Sequence, residues 1–243
     1  NKNIFSKLKY NNGQIDKIVA ISSAVKSVLV SDGVPEDRID VIYSGVKMEN
    51  PLNFNCHDDL KSKFSQNDKV IGCIASFADH KDHFTLLKAF EIVYSKNQNV
   101  KLLLVGDGYL LESVKNFGEK LNCFKNIFFA GFREDVYSCM KCMDIFAMTS
   151  KKEGLCTSII DALSFGLPVV ATDAGGIPEL VKNGENGFVC KVGDYQDVAN
   201  KLIYLLDNQD IYSKMSSHGK VYSQKFSVEN MVGAYINLYK GLL

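Results

Sequence analysis

The 243-residue chain has no excess of charge of either sign, because lysine plus arginine and aspartate plus glutamate number 28 each. Because neither positive nor negative charge predominates, the composition argues against nucleic acid as a partner and does not support binding to an anionic membrane surface. No apolar run is long enough to span a bilayer. The hydrophobic share of 46% and the charged share of 23% are typical of a soluble globular protein with a substantial core.

Arginine is scarce, since Arg38 and Arg133 are the only two in the chain, and this singles out each of them for scrutiny. The seven cysteines are scattered and odd in number, which predicts free thiols in a reducing compartment. Cys139 and Cys142 form the only close pair. Because no second pair exists, we favour thiols that pack in the core over a zinc site or a redox function. The chain begins with Asn1 rather than Met, so we expect a fragment.

Short apolar runs alternate with helical periodicity along most of the chain. Residues 84–94, for example, place Leu86, Leu87, Phe90, Val93 and Tyr94 on one apolar helical stripe. The near-continuous apolarity of the other runs predicts a parallel sheet buried on both faces, and hence a doubly wound α/β domain. The predicted strands cover residues 17–21, 38–43, 69–75, 100–106, 126–131, 144–150 and 168–172.

The domain organisation follows from a polar, irregular stretch at residues 47–57, which we interpret as a linker. Residues 1–46 hold only one strand-helix-strand piece, so we prefer the end of a second α/β domain over a decorated edge of one domain. The last helix, over residues 227–243, carries a regular apolar stripe with Ser227 as a plausible N-cap. That stripe needs a surface to cover.

The loops that follow the strands are the place to look for a ligand site, because open α/β sheets bind ligands beyond the carboxyl ends of their strands. The "GDG" turn at residues 106–108 is weak evidence for dinucleotide binding, since Leu111 occupies the third glycine position and no acidic residue follows the next strand. A tight turn at a close backbone approach is the favoured interpretation. The chain also lacks a P-loop and a G-x-S-x-G elbow.

The stretch "EGLCTSIID" places Glu153 in a loop and Asp161 eight residues later, about one turn into a predicted helix that Thr157 or Ser158 can cap. The free N–H groups and the dipole of that helix favour an anion at the loop mouth. Sugar hydroxyls on either side of a phosphate would suit the two carboxylates, so a nucleotide sugar fits. Helix capping and surface solvation remain the alternative explanation.

Cations lie in two of the other loops. Lys81 in "DHKDH" could neutralise charge on a diphosphate leaving group. His80 and His83 lack further ligands to complete a metal set, so ordinary polar loop residues are favoured. Arg133 in "GFREDV" is either a second cation at this edge or a salt-bridge partner of Glu134 or Asp135.

Taken together, these motifs resemble the signature of retaining glycosyltransferases of the GT-B fold. That signature has the form E-G-x-x-x-x-x-x-E-A, then G-x-P-V-V-x-T, then G-G-x-x-E. This chain has "EGLCTSIIDA", "GLPVVAT" and "GGIPEL" in the same order and spacing. Residues 20–46 resemble the interdomain passage of the family, and "ASFADHKDHFTLLKAF", "LLLVGDGYL" and "GFREDV" resemble its successive loops, so the likeness covers nearly the whole chain.

The resemblance implies a Rossmann-like, doubly wound donor domain together with a remnant of an N-terminal Rossmann-like domain. By that reading residues 1–46 end the acceptor domain and pass between domains, residues 47–225 bind the nucleotide-sugar donor, and residues 226–243 form a helix that packs back toward the N-terminal domain.

The resemblance also implies residue roles. Glu153 would contact the transferred sugar, and Lys81 would stabilise the diphosphate leaving group; these are the expected catalytic residues. Asp161 would hold the ribose diol. The remaining members of the expected donor-binding set are Leu155, Cys156 and Thr157 at the diphosphate, Gly131, Phe132 and Arg133 at the edge of the base pocket, and Ser76 and Gly106.

The implied reaction moves a sugar, with retention at its anomeric carbon, from a UDP- or GDP-linked donor to a polysaccharide or glycolipid acceptor. No metal and no cofactor are expected, and the implied location is the cytoplasm with peripheral contact at the inner face of the plasma membrane. Two positions depart from the family: Asp161 replaces the more usual Glu, and no Arg lies near Ser76. A catalytically inactive nucleotide-sugar binding module is therefore the alternative, and an NAD-linked oxidoreductase is disfavoured.

Overall fold

A computed structural model describes Tyr10 and residues 14–243 of the chain. Two parallel strands and the helix between them form a small βαβ unit at the start of this region. Strand β1 (Ile18–Ala20) pairs with β2 (Ile39–Val41), and helix α1 (Ser23–Ser31) connects them. A separate small core of Ala20, Val34 and Ile39 holds the unit together.

The main sheet has six parallel strands in the order β5-β4-β3-β6-β7-β8. Predicted strands and observed strands agree, which confirms the doubly wound α/β fold. Among the strands of residues 14–243, the last was not predicted, because its glycine and half-buried residues weaken the strand pattern. The strands are β3 (Lys69–Ile74), β4 (Val100–Val105), β5 (Ile127–Gly131), β6 (Ile145–Met148), β7 (Val169–Thr172) and β8 (Gly187–Cys190).

Helices cover both faces of this sheet. Of the predicted stripe on α3 (His83–Lys96), Leu86, Leu87, Phe90 and Val93 are completely buried and Tyr94 is half buried. This helix packs against α8 (Tyr195–Asp207). Such burial of large apolar side chains is the main stabilising term of the fold. The helices after α1 are α2 (Asp58–Lys61), α3 (His83–Lys96), α4 (Leu111–Gly118), α5 (Val136–Met140), α6 (Thr157–Ser164), α7 (Ile177–Leu180), α8 (Tyr195–Asp207), α9 (Gln209–Ser223) and α10 (Val228–Lys240).

The strand order reverses between β3 and β6, which lie side by side although β4 and β5 come between them in the chain. Open α/β sheets bind ligands in the crevice outside the carboxyl ends of the strands at such a reversal, so a site is expected here. The loop after β3 carries Lys81, and the loop after β6 carries Glu153. The topology therefore brings together the two predicted catalytic residues.

The prediction of free thiols is wrong for two cysteines. Cys56 and Cys142 form a disulfide that joins residues 86 positions apart. Sequence spacing pointed to Cys139 as the neighbour of Cys142, but Cys139 faces the core as a free thiol. The other free cysteines are also buried, and they are Cys73, Cys123, Cys156 and Cys190.

Helix α10 begins as predicted, with the Ser227 hydroxyl accepting a hydrogen bond from Asn230 N at 3.2 Å. Backbone bonds from Val46 N to Phe226 O (2.9 Å) and from Val228 N to Val46 O (3.1 Å) tie the start of this helix to the passage before the linker. Its apolar stripe is half exposed, since Ile236 keeps 48% of its surface. The division at residues 1–46, 47–225 and 226–243 stays a prediction. No helix in the described part of the chain has both the length and the apolarity needed to cross a bilayer.

Candidate functional site

The centre of the site is an ion pair between the loops after β3 and β6. Lys81 Nζ lies 2.5 Å from Glu153 Oε1, and both side chains are largely buried, at 16% and 8% exposure. The Ser150 hydroxyl donates to the same carboxylate oxygen at 2.7 Å. Backbone bonds hold the two loops together, including Lys151 N to His80 O at 2.7 Å. A cation and a carboxylate are thus fixed side by side in the crevice.

Two glycines after β7 hold the Glu153 loop from behind. A Cβ on Gly175, whose φ is +54°, would lie 1.8 Å from Glu153 O, and a Cβ on Gly176 would lie 2.3 Å from Gly154 O. Gly176 N also donates to Glu153 O at 3.3 Å. No side chain fits at either position, so the glycine pair of "GGIPEL" is required for the loop to sit where it does.

Helix α6 starts beside this loop, but neither Thr157 nor Ser158 is its N-cap. Cys156 occupies the cap position in the left-handed region (φ +77°), and no side chain in the described part of the protein caps the helix. The expected capping role was wrong because the backbone turns one residue earlier than the sequence pattern indicates. Since no side chain satisfies them, the first N–H groups of α6 are available to an anion at the loop mouth.

Asp161 is mostly buried one turn into α6. Its Oδ1 has no hydrogen-bond partner among the described residues. Burial raises the pKa of Asp161 to about 6, and the nearby Tyr137 opposes this shift only in part. A buried carboxylate oxygen without a donor is costly, so this atom is arranged to receive a donor from elsewhere.

The "GDG" turn makes its close approach to the backbone of the neighbouring loop. A Cβ on Gly106, at φ +139°, would lie 2.0 Å from Ala75 O, and one on Gly108 would lie 2.5 Å from Phe77 O. Ser76 is exposed between these two contacts. This close approach explains why both positions are glycine, and it agrees with the tight turn that the sequence analysis favoured.

The turn after β5 presents an open surface beside a fixed arginine. Gly131 has φ +69° with free space around it, and Phe132 is 73% exposed. Arg133 pairs with Asp135 and Asp59, each at 2.6 Å, which confirms the predicted salt bridge to Asp135. The hydrogen bond from Arg133, with a further one from His57, lowers the pKa of Asp59 to about 2. Asp59 lies far away in sequence, so only the fold reveals it as a partner.

The two histidines differ in their surroundings. His83 is buried and stacks on Phe77 with ring centroids 4.1 Å apart. Burial and the nearby Lys81 lower the pKa of His83 to about 4, so its ring is neutral at physiological pH. His80, in the loop after β3, is exposed. The described part of the chain contains no group of three or more side chains arranged to hold a metal ion.

Helix α1 closes one side of the site, a contribution that the sequence analysis did not foresee. A cavity of about 380 Å³ separates Ala24, Val25 and Val28 of this helix from Glu153 and Gly154. The Ser22 hydroxyl, completely buried, donates to Gly154 O at 2.6 Å. A serine before a helix indicates a cap, but nothing in the sequence shows that it also touches a loop 132 residues away.

The fold is that of a Rossmann-like, GT-B type domain with the candidate site at the strand reversal. Residues 57–222 match the family model for glycosyl transferases group 1. The match spans more than half of the chain, and the chain therefore belongs to this family.

Curated relatives and solved structures agree with this assignment. The chain is 26% identical over 240 residues to the N-acetyl-alpha-D-glucosaminyl L-malate synthase of Bacillus anthracis, covering 97% of the chain and 62% of that protein. It is 28% identical to the capsular polysaccharide biosynthesis glycosyltransferase CapM of Staphylococcus aureus, covering 86% of the chain and 57% of CapM. The crystal structure of Anabaena HepE in complex with UDP-glucose superposes with a TM-score of 0.85 at 25% identity, covering 99% of the chain and 67% of HepE. The chain thus spans less than two thirds of the two curated relatives.

Proposed function

We propose that this chain is the donor-binding part of a retaining glycosyltransferase. The enzyme would transfer a sugar from a nucleoside diphosphate sugar to a polysaccharide or glycolipid acceptor. The observation that carries the proposal is the Lys81–Glu153 pair, 2.5 Å apart, in the crevice beside the uncapped start of α6. The UDP-glucose complex of HepE and the capsular role in the name of CapM support this direction.

Each group then has a role in holding the donor. The N–H groups of Leu155, Cys156 and Thr157 bind the diphosphate at the positive end of the helix dipole. Asp161 accepts the ribose hydroxyls, which supply the donors that its buried oxygen lacks. Glu153 accepts hydroxyls of the transferred sugar.

The base lies at the open turn after β5. Gly131 leaves free space there, and the exposed Phe132 offers a ring face to the base. Arg133, fixed by its two carboxylates, shapes this edge rather than binding phosphate. Ser76 and Gly106 complete the wall between the two neighbouring loops.

Lys81 provides the electrostatic part of the chemistry. Negative charge develops on the diphosphate as its bond to the anomeric carbon breaks, and a fixed ammonium group stabilises that charge. The acceptor hydroxyl oxygen bonds to the same face of the anomeric carbon, and its proton passes to the leaving diphosphate. In this proposal lysine and the helix N-terminus carry the counter-charge, so neither a metal nor a cofactor takes part. Because lipid-linked acceptors are expected for the family, we also propose that the reaction takes place in the cytoplasm, with peripheral contact at the inner face of the plasma membrane.

Calorimetric titration of the chain with UDP, GDP and NAD tests the donor site. We expect saturable binding of UDP or GDP, weakened at least tenfold by Glu153→Ala or Asp161→Ala through the loss of charge-assisted hydrogen bonds. Glu185→Ala, an exposed acid away from the site, should leave the affinity unchanged. Binding of NAD alone would instead revive the oxidoreductase alternative.

Turnover separates the enzyme from an inactive binding module. In the full-length enzyme, Lys81→Ala should abolish transfer while the far-ultraviolet circular dichroism spectrum and the cooperative unfolding transition persist. Wild-type rates in this variant would refute the assigned role of Lys81. Donor binding without any transfer by the wild-type enzyme would favour the binding module.

A further inference from the structure

The N-terminus of α1 is satisfied by a residue from the main domain. Val25 N donates to the Ser22 hydroxyl at 3.1 Å, as in an ordinary N-cap. Ser23 N and Ala24 N instead donate to Oε2 and Oε1 of Glu179, both at 2.9 Å. The first turn of α1 has no acidic residue of its own. Glu179, 155 residues from Ala24, therefore supplies the negative charge that a helix N-terminus favours.

Further bonds hold Glu179 in place. The Tyr43 hydroxyl donates to Oε2 at 2.8 Å, and the Tyr222 hydroxyl donates to the backbone oxygen of Glu179 at 2.7 Å. Partial burial raises the pKa of Glu179, but the bonds from Ser23 N, Ala24 N and Tyr43 outweigh it and leave the pKa below its usual value. The carboxylate is thus ionised and its acceptor positions are used by the N-terminal unit.

The same short segment also contacts the site. Gly175 and Gly176, just before α7, are pressed against the backbone of Glu153 and Gly154. Ser22, which precedes α1, donates directly to Gly154 O. One motif therefore fixes the Glu153 loop with its glycines and fixes α1 with its glutamate, so that the apolar face of α1 lines the cavity beside Glu153.

We propose that Glu179 is a positioning residue that holds α1 over the loop carrying Glu153, so that the helix forms the wall of the cavity where the transferred sugar lies. The location of the sugar rests on the proposed function, whereas the docking of α1 does not. Removing Glu179 should release α1 without disturbing the nucleotide end of the site.

Amide hydrogen exchange of the chain without ligand tests the docking. In Glu179→Ala, the amides of Ser23 and Ala24 should exchange at least tenfold faster, while α3 in the main core keeps its protection. Glu179→Gln, which keeps the volume but loses the charge, should give a smaller increase at the same amides. Glu229 is an exposed glutamate in the first turn of α10, and Glu229→Gln is the matched control. This control should change the exchange neither of Ser23 and Ala24 nor of α3. Unchanged exchange at α1, or an equal increase throughout the chain, would overturn the proposal.

Titration with UDP and UDP-glucose tests the link to the site. We expect Glu179→Ala to weaken UDP-glucose binding at least fivefold more than UDP binding, because only the sugar reaches the wall formed by α1. An equal loss for both ligands would contradict positioning at the sugar end. Failure of wild-type chain to bind either ligand counts against the proposed function instead, and leaves the exchange experiment to decide whether Glu179 docks α1.

Discussion

Replacing Asp161 by asparagine should stabilise the protein and weaken its ligand binding at the same time. Burial raises the pKa of this carboxyl from 3.8 to about 6, so the folded state disfavours its ionised form. Two pKa units correspond to about 3 kcal/mol at pH 8, where the group is ionised in both states. A buried amide with an unmet donor removes part of that gain, and a net stabilisation of about 2 kcal/mol remains.

The assay is thermal unfolding of the wild-type chain and Asp161→Asn at pH 8. For a domain of this size, about 2 kcal/mol raises the midpoint temperature by roughly 4–8 °C. Titration of the same variant with UDP should show affinity about tenfold to hundredfold weaker, because a neutral amide replaces the charge-assisted acceptor that we propose for the ribose hydroxyls. A gain in stability together with a loss of binding is typical of groups held unfavourably for function.

The pH dependence has a defined sign. Between pH 3.8 and about 6 the folded state holds a proton on Asp161 that the unfolded state has released, so this group stabilises the fold as pH falls through that window. The stability difference between Asp161→Asn and wild type should therefore shrink from pH 8 toward pH 4. Asp59→Asn is the contrasting control, since Arg133 lowers the pKa of Asp59 and its replacement should destabilise the protein. An Asp161→Asn protein with unchanged or lower stability at pH 8 would refute the reasoning.

Two further perturbations test the framework of the site. Gly175→Ala should lower the free energy of unfolding in urea by about 2–4 kcal/mol, because the new Cβ would meet Glu153 O. Gly184 also has a positive φ but has free space around it, so Gly184→Ala should lower the free energy of unfolding by only about 1 kcal/mol. Equal losses in the two variants would contradict the close contact at Gly175. Reduction of the Cys56–Cys142 disulfide should lower the free energy of unfolding by about 2–4 kcal/mol. The double variant to alanine should not respond to reductant, and a wild-type chain with seven titratable thiols before reduction would disprove the bond.

The sequence predicted the sheet well because its strands are buried on both faces. Residues 100–106 and 144–150 are nearly continuous apolar runs, and each contains a strand of the main sheet. Strand β8 was missed because it has four residues, lies at the edge and is only partly buried. Apolar continuity is thus a reliable signal for central strands and a weak one for edges.

The elements that carry Glu153 and Asp161 were predictable because they depend only on spacing along the chain. Glu153 lies in the loop after β6, and Asp161, eight residues later, lies in α6. Their role in a ligand site stays a prediction. Contacts between distant segments were not predictable, such as Asp59 with Arg133 and Cys56 with Cys142. Their positions relative to one another depend on the strand order, which local sequence does not reveal.

The order of the motifs has a physical explanation in the contacts of "GGIPEL". Glu153 lies in the loop after β6. The next strand, β7, pairs with β6 in parallel, so the loop after β7 lies at the same edge of the sheet as the Glu153 loop. There two residues without side chains are needed, because the carbonyl oxygens of Glu153 and Gly154 fill the space that a Cβ would take at Gly175 and Gly176. Four residues after Gly175, about one helical turn, Glu179 reaches α1. A glycine pair followed at that spacing by an acid therefore joins the Glu153 loop to α1 opposite it.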